Sequence, residues 1–148
     1  MFKNIVIATD GSADGERAFD MACALAAESG SCLIAVHVTE LVGGKGGTYP
    51  LAADDDEFRA RLAERVHALR ADGIDAVAVV QSTRLGGPAH VIAEVADSVG
   101  ADLIVVGTRG RSPLGELLLG SVPVRLLQVS HRPVLVVPRP GRTGGGSA

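Results

Sequence analysis

Aromatic side chains are scarce in this chain, and it has no excess of positive charge. Its 148 residues include three Phe, one Tyr and no Trp, and the formal net charge is −3. Few aromatic rings leave little surface on which nucleobases could stack, and the charge balance offers no basic surface for a phosphate backbone. We therefore expect no nucleic-acid partner.

Long apolar segments and paired cysteines are absent from the sequence as well. No apolar run approaches the length of a membrane-spanning helix, and the N-terminal residues lack the apolar core and cleavage site of a signal peptide. The two cysteines, Cys23 and Cys32, do not form a CxxC motif. These features predict a cytoplasmic protein with reduced thiols and no membrane partner.

What the chain does contain is an alternation of short apolar runs with helical patterns. The runs predicted to be strands are residues 4–9, 32–38, 76–81, 102–107 and 133–137. They are almost continuously apolar, which is typical of strands covered on both faces. The order β-α-β-α-β-α-β-α-β predicts an α/β fold with a parallel sheet and helices on both faces.

The length is that of one domain, which we place at residues 1–138. Residues 139–148 are rich in Pro, Arg, Gly and Ser and are expected to form a flexible tail. Residues 41–56, rich in glycine and then in aspartate, are expected to form a long connection after the second strand.

The strongest functional signal is a set of glycines that follows the fourth predicted strand. Gly107 and Gly110 come at the end of that strand, and Gly120-Ser121 stands at the start of the next predicted helix. Glycine lets backbone N–H groups approach an anion closely, and a helix N-terminus offers unpaired donors with a favourable dipole. The spacing therefore predicts a phosphate-binding site, although the same glycines also fit ordinary turns and Ser121 an ordinary helix cap.

A second polar group, Asp10-Gly11-Ser12, follows the first predicted strand. Ligands of open α/β sheets bind beyond the carboxyl ends of the strands, where the strand order reverses. If the first and fourth strands are neighbours there, Asp10 faces the glycine loop across one crevice. Asp10 could then hold ribose hydroxyls or a phosphate-bound Mg²⁺, while Ser12 fits the N-cap of the first helix.

At these residues the chain resembles the universal stress protein family. The match comprises Gly-x2-Gly-x9-Gly-Ser from Gly107 to Ser121, the segment from Ile5 to Ser12, His37-Val38, and the closing residues 133–137. The resemblance implies a five-stranded parallel sheet in the order 3-2-1-4-5, of the adenine nucleotide alpha hydrolase type. It also implies an adenine nucleotide as ligand and a homodimer. We expect the dimer to pair through strand 133–137, because this apolar edge strand is a hazard unless it is covered.

The resemblance further implies which residues hold the nucleotide. The Val38 backbone would recognise adenine, and Asp10 would contact ribose or a phosphate-bound Mg²⁺. The implied nucleotide contacts are Ala8, Thr9, Asp10, Val38, Val106, Gly107, Arg109, Gly110, Gly120, Ser121 and Val122.

Two residues depart from the pattern of nucleotide-binding relatives. Ala8 stands where many of them have proline, and Pro123 stands where many have a hydroxyl residue. Pro123 removes one side-chain ligand and one backbone donor, although proline early in a helix is sterically comfortable. We expect a weaker grip on a triphosphate, so that AMP or cyclic AMP competes with ATP.

Other apparent motifs have simpler explanations. Lys45-Gly46-Gly47-Thr48 is not followed by the Gly-Lys-Ser/Thr of a phosphate loop and is expected to be a flexible loop. The acidic run 54–57 is expected to stay solvated and to complement a helix N-terminus. His37 shares no metal-ligand spacing with the other histidines, so it is expected to be a hydrogen-bonded core residue.

Together these patterns favour an adenine-nucleotide-binding sensor or regulator of the stress response. No Ser-His-Asp, Cys-His or carboxylate pair in the sequence indicates efficient catalysis, so no catalytic residue is assigned. Two alternatives stay open. One is an interaction module that binds no nucleotide, and the other is a slow ATPase.

Overall fold

The computed structural model describes residues 2–84, 86–108 and 119–138, and within them all the predicted strands and helices are present. The helices are α1 (Ala13–Ser29), α2 (Asp55–Ala71), α3 (Pro88–Ser98) and α4 (Ser121–Val129). The strands are β1 (Asn4–Ala8), β2 (Cys32–Gly44), β3 (Gly47–Pro50), β4 (Ala76–Thr83), β5 (Leu103–Gly107) and β6 (Val134–Val137). No helix in these ranges is both long enough and apolar enough to span a membrane. The tail, 139–148, lies outside the described residues.

Five of the strands are parallel and lie side by side in the order β4-β2-β1-β5-β6. Counted by predicted strand, this is 3-2-1-4-5, so the order implied by the resemblance is confirmed. In the centre, Ile5 of β1 lies between Leu33 of β2 and Leu103 of β5. After β1 the chain adds β2 and β4 on one side of β1, and it then crosses to the other side, where it adds β5 and β6. The strand order therefore reverses beside β1, where the fold forms a crevice.

The prediction of a long connection over residues 41–56 is wrong for the first half of that segment. β2 continues to Gly44, and after a turn it pairs antiparallel with β3, so residues 41–50 form a hairpin. The turn contains Gly46 at φ 99° and Gly47 at φ 132°, a backbone conformation that favours glycine. The flexible loop expected from these glycines is thus a hairpin turn, and β3 adds a sixth, antiparallel strand to the sheet.

Apolar side chains cover both faces of the sheet. On one face, side chains of α1 and α2 pack against β1 and β5, and the largest of them are Phe19, Phe58 and Leu62. On the other face, α3 and α4 contribute Ile92 and Leu126. The central strands are buried on both faces as predicted, whereas the edge strands β4 and β6 are partly exposed. The expectation of two-sided cover is therefore wrong for the edges.

Both cysteines are free thiols, as the sequence predicts. Cys23 packs against the core formed by α1 and α2, and Cys32 packs against the opposite one. Burial raises the pKa of each thiol above its usual value. A raised pKa keeps the sulfur protonated at neutral pH, which suits a packing role better than a reactive one.

The amino end of the sheet is closed by hydrogen bonds. The Asp102 carboxylate accepts bonds from the backbone N–H groups of Lys3 (2.7 Å) and Asn4 (3.0 Å). The Ser31 hydroxyl donates to the Phe2 carbonyl at 2.5 Å. These contacts tie the connections that precede β2 and β5 to the start of β1.

Candidate functional site

Two adjoining cavities lie at the carboxyl ends of the strands, beside the reversal of strand order. The small cavity has a volume of about 110 Å³ and the large cavity one of about 520 Å³. Both are lined by Asp10, Val38, Glu40, Pro88 and Val122. The ends of β1 and β2 and the beginnings of α3 and α4 thus form one crevice.

The crevice brings together every predicted nucleotide contact that the structure describes. Those that line the small cavity are Ala8, Thr9, Asp10, Val38, Val106, Gly107 and Val122. Gly120 and Ser121 line the large cavity. Arg109 and Gly110 lie outside the described residues. Residues 10 and 120, which are far apart in the sequence, therefore meet at one cavity, as the strand-order argument predicted.

The small cavity combines apolar walls with carboxylates at its edge. Val36, Ile92 and Pro123 complete its apolar lining, and the sequence reasoning assigned none of them to ligand contact. Asp10 and Glu40 add carboxylates that can accept hydrogen bonds from hydroxyl or amino groups. Such a lining suits a flat, largely apolar ligand that also carries hydroxyl groups.

Four helices begin at this crevice. The structure confirms that Ser12 is the N-cap of α1, with its hydroxyl accepting the Gly15 N–H at 3.0 Å. At α3 and α4 no side chain of the described residues caps the N-terminus. In α4, the first-turn N–H groups of Ser121 and Val122 have no partner among the described residues, and Pro123 contributes no N–H of its own. Unpaired donors at a helix N-terminus attract anions, so this edge of the crevice suits a phosphate group.

Thr9 carries a buried polar atom without a partner. Its side chain is only 6% exposed, yet within the described residues its Oγ1 makes no hydrogen bond. A Cβ on Gly15 would lie 3.0 Å from Asp10 Oδ1, 3.1 Å from Ser12 Oγ and 3.5 Å from Thr9 Oγ1. Three oxygen atoms therefore surround a space that exists because residue 15 is glycine. A buried hydroxyl without a partner is costly, so an atom of a ligand that bonds to it would relieve that cost.

Gly107, the first glycine of the spaced motif, has a packing explanation. A Cβ at this position would lie 2.7 Å from the carbonyl oxygen of Asp14 in α1, closer than real Cβ contacts come. The buried Asp14 carboxylate also accepts a hydrogen bond from the Thr108 hydroxyl at 3.2 Å. Close approach of β5 to α1 is sufficient reason for glycine at residue 107, independently of any ligand.

A buried hydrogen-bond network that sequence reasoning did not find lies beside the large cavity. Asp55 Oδ1 lies 2.6 Å from His37 Nε2, and Asp55 Oδ2 accepts the Thr39 hydroxyl at 3.0 Å. His37 Nδ1 lies 3.3 Å from the carbonyl oxygen of Thr9. We call these four groups the Asp55 network.

The network confirms one expectation and corrects another. His37 is a hydrogen-bonded core residue, as predicted. The acidic run is not solvated throughout, because α2 turns Asp55 towards β2 and buries it, whereas the side chain of Asp56 is 95% exposed. The available signal was the polar pair His37 and Thr39, which share one face of an otherwise apolar strand.

The fold and the crevice define an α/β protein whose candidate ligand site lies where the strand order of an open parallel sheet reverses. Residues 1–138 match the model of the universal stress protein family. The chain belongs to this family.

Individual relatives agree with the assignment. A universal stress protein of Thermus aquaticus, named for its place in the QAH/OAS sulfhydrylase 3′ region, is 37% identical over 140 residues, which cover 93% of this chain and 99% of that protein. Among solved structures, a universal stress protein in complex with cAMP is 32% identical, with a TM-score of 0.67, and the match covers 92% of this chain and 97% of that one. The universal stress protein of Archaeoglobus fulgidus in complex with dAMP is 26% identical, with a TM-score of 0.65 and coverage of 90% and 96%.

Proposed function

We propose that this protein binds an adenine nucleotide, ATP, AMP or cyclic AMP, in the crevice and acts as a sensor or regulator in the stress response. The observation that carries the proposal is the buried hydroxyl of Thr9, which has no partner among the described residues and belongs to a residue that lines the small cavity. A folded protein rarely leaves such a group unpaired unless something else satisfies it. The solved relatives in complex with cAMP and dAMP support an adenine nucleotide as that ligand.

In this proposal the base occupies the small cavity, against its apolar walls and the Val38 backbone. Asp10 accepts hydrogen bonds from the ribose hydroxyls. The phosphate lies at the beginning of α4, where Ser121 and Val122 offer their N–H groups. Apolar base, hydroxylated sugar and anionic phosphate thus each meet a part of the crevice with matching chemistry.

The first turn of α4 affects how many phosphate groups of the ligand the protein can hold. Pro123 stands there in place of a residue with an N–H group, so the turn presents fewer backbone donors than it otherwise would. We therefore expect a ligand with one phosphate to compete well with ATP. Among the described residues, no cluster of three or more His, Cys, Asp or Glu could hold a metal ion, so Mg²⁺ would arrive with the phosphates of ATP.

Thr9→Val tests the proposal, because it removes the hydroxyl and keeps the shape of the side chain. Removing an unpaired buried hydroxyl should leave the melting temperature of the ligand-free protein unchanged or higher. Affinity for the nucleotide should fall roughly 3- to 10-fold, the value of one ordinary hydrogen bond. Calorimetric titration with AMP, cyclic AMP and ATP measures the affinity. Thr48→Val, on the exposed strand β3, is the matched control.

Two results would contradict the proposal. Purified protein that retains no nucleotide by mass spectrometry and shows no titration with any of the three would contradict nucleotide binding. An affinity that Thr9→Val leaves unchanged would contradict the contact between the ligand and the Thr9 hydroxyl. The first result would favour an interaction module instead.

We further propose that the protein is a homodimer that pairs through β6. This strand bonds to β5 on one side, and Leu135 in its middle is 36% exposed. Leu135→Asp should give a monomer, because a charge in such an interface is left unpaired. Val80→Asp, on the opposite edge strand β4 and similarly exposed, should leave the dimer intact. Light scattering at tens of micromolar decides, and a monomeric unmodified protein would refute the proposal.

A further inference from the structure

Two carboxylates line the small cavity, and the protein itself uses only one of them. Asp10 Oδ1 accepts the Ser12 N–H at 2.9 Å. The carboxylate of Glu40 has neither a hydrogen bond nor an ion pair among the described residues. Glu40 therefore offers a ligand a hydrogen-bond acceptor at the edge of the cavity.

The alternation of side chains along β2 places Glu40 beside the apolar lining. Successive side chains of a strand point to opposite faces, so residues 36, 38 and 40 share one face of β2. Val36 belongs to the core between the sheet and α3, and Val38 packs against that core. Glu40 is the next residue on this face, and it is exposed. The cavity is thus apolar in its depth and has a carboxylate at its mouth.

Backbone hydrogen bonds from two neighbouring segments hold Glu40 in place. It pairs in parallel register with Thr83 of β4. Its carbonyl oxygen accepts the N–H of Leu51, the residue after β3, at 2.7 Å. A side chain on a fixed backbone loses less conformational freedom when it binds a ligand, so Glu40 is positioned before the ligand arrives.

The order of the strands indicates which part of a bound nucleotide Glu40 meets. The beginning of α4 is tied to the end of β5, because the Gly120 N–H donates to the Thr108 carbonyl at 2.7 Å. Asp10 follows β1, and Glu40 lies on β2. Neighbouring strands are about 4.8 Å apart, so β5, β1 and β2 present the proposed phosphate, ribose and base sites in that order across the crevice. Glu40 therefore lies on the side of the base.

A carboxylate in this place distinguishes between bases by hydrogen bonding. An ionised carboxylate accepts hydrogen bonds and donates none, so it favours an amino group and disfavours a carbonyl oxygen. Adenine carries an exocyclic amino group. A site built to hydrogen-bond such a group rejects an analogue that lacks it, because the polar group of the protein is then left without its partner.

We propose that Glu40 is a specificity-determining residue of the crevice: its carboxylate accepts a hydrogen bond from the exocyclic amino group of adenine and so selects a base that carries this group. The inference rests on the nucleotide-binding function proposed above. It adds a side-chain contact to the recognition of adenine that the family resemblance implies for the Val38 backbone.

The test compares AMP with purine riboside 5′-monophosphate, which differs from AMP only by the missing amino group. Both ligands carry the same ribose and phosphate, so the ratio of their affinities isolates what the protein gains from the amino group. Glu40→Ala removes the carboxylate. Because this side chain is exposed and has no partner among the described residues, the melting temperature of the ligand-free protein should not change. Calorimetric titration measures both affinities in each variant.

Glu40→Ala should lower the preference for AMP over the analogue roughly tenfold. This is the lower end of the range for a hydrogen bond to a charged group, because water competes at an exposed side chain. Glu40→Gln keeps an uncharged acceptor and should lower the preference roughly threefold. Loss of the negative charge should also strengthen binding of both phosphates, but this effect cancels in the ratio.

Two other carboxylates provide matched controls. Asp10→Ala, at the proposed ribose contact, should weaken both ligands by the same factor and leave their ratio unchanged. Glu64→Ala removes an exposed carboxylate of α2 that lines neither cavity and should leave both affinities unchanged.

The outcomes separate the role of Glu40 from nucleotide binding itself. If AMP binds and Glu40→Ala leaves the ratio unchanged, the role of Glu40 is wrong while the proposed function stands. An equal loss for both ligands in Glu40→Ala would also overturn it, because Glu40 would then contact the ribose and not the base. If the unmodified protein binds neither ligand, the proposed function is wrong and the role of Glu40 is wrong with it.

Discussion

The two ends of the sheet differ in how completely their polar groups are paired. At the amino end, a carboxylate and a hydroxyl satisfy backbone groups, and Gly30, at φ 67°, ends α1 in the left-handed conformation that glycine favours. At the carboxyl end, the Thr9 hydroxyl and two N–H groups of α4 have no partner among the described residues. Within the part of the chain that the structure describes, polar groups are therefore paired by the chain's own residues at one end of the sheet and are left unpaired at the other.

Because of this difference, we expect substitutions at one end of the sheet to change stability and substitutions at the other end to change ligand affinity. Groups that the chain pairs with itself stabilise the fold, so their loss is expected to lower the melting temperature. Groups left unpaired stabilise nothing until a ligand arrives, so their loss is expected to lower affinity alone. Substitutions of the paired groups at the amino end and of the unpaired groups at the carboxyl end should consequently have effects that do not overlap.

The largest expected effect is loss of binding in Gly120→Asp. A carboxylate at the beginning of α4 would place a negative charge where the phosphate is proposed to lie, and affinity should fall at least about 100-fold. The fold should survive, because acidic residues are well tolerated at helix N-termini. Gly43→Asp adds the same charge on the hairpin, where a Cβ meets no atom within 4 Å, and should bind normally. Undiminished affinity in a folded Gly120→Asp protein, measured by calorimetric titration, would remove the phosphate site from the proposal.

A smaller loss of affinity is expected in Asp10→Ala. Losing a hydrogen bond between a charged group and the ribose costs about 1.5–3 kcal/mol, or roughly 10- to 150-fold in affinity. Asp10 also accepts the Ser12 N–H at 2.9 Å, so a slight fall in melting temperature should accompany the loss. Thermal shifts with and without ligand distinguish the two effects. Asp72→Ala, at the amino end, is the control that should bind normally. A lowered melting temperature with full affinity would make Asp10 a structural residue only.

The smallest effect is expected at the amino end, in Asp102→Asn. Backbone N–H groups of Asn4 and Lys3 lower the pKa of Asp102 below its unfolded value of 3.8. Its contribution to stability is therefore present above that value and is lost as the pH falls through the lower, folded pKa. Asp102→Asn should melt earlier than the unmodified protein at neutral pH, and the gap should close in strong acid. Nucleotide affinity should not change, and a change would show that the two ends are not independent.

The sequence was sufficient for the parts of the fold that repeat a regular pattern. Apolar runs located the five parallel strands, and the helical patterns between them located the four helices. Strand order came from the resemblance, because periodicity alone does not tell which strands are neighbours. The candidate crevice followed from strand ends and glycine spacing, and every described residue of that prediction lines it.

What the sequence could not predict depends on contacts between distant residues. The turn glycines around Lys45 fit a loop as well as a hairpin, and pairing of β3 with β2 decided between them. Asp55 and His37 are 18 residues apart, and no local sequence pattern around either residue indicates that they are in contact. The missing partner of Thr9 is visible only once the surroundings of its hydroxyl are known.

The close approach of Gly107 to Asp14 determines which residues would stay constrained in relatives that have lost the function. A descendant that had lost the proposed nucleotide binding would still have to keep glycine at residue 107, because any side chain there would collide with the backbone of α1. Thr9 is under no such demand, so Val could replace it without harm once the ligand was gone. In descendants that have lost ligand binding, the identity of residue 9 should therefore indicate the loss. The glycine at residue 107 would not indicate it, because packing of the fold alone requires that glycine.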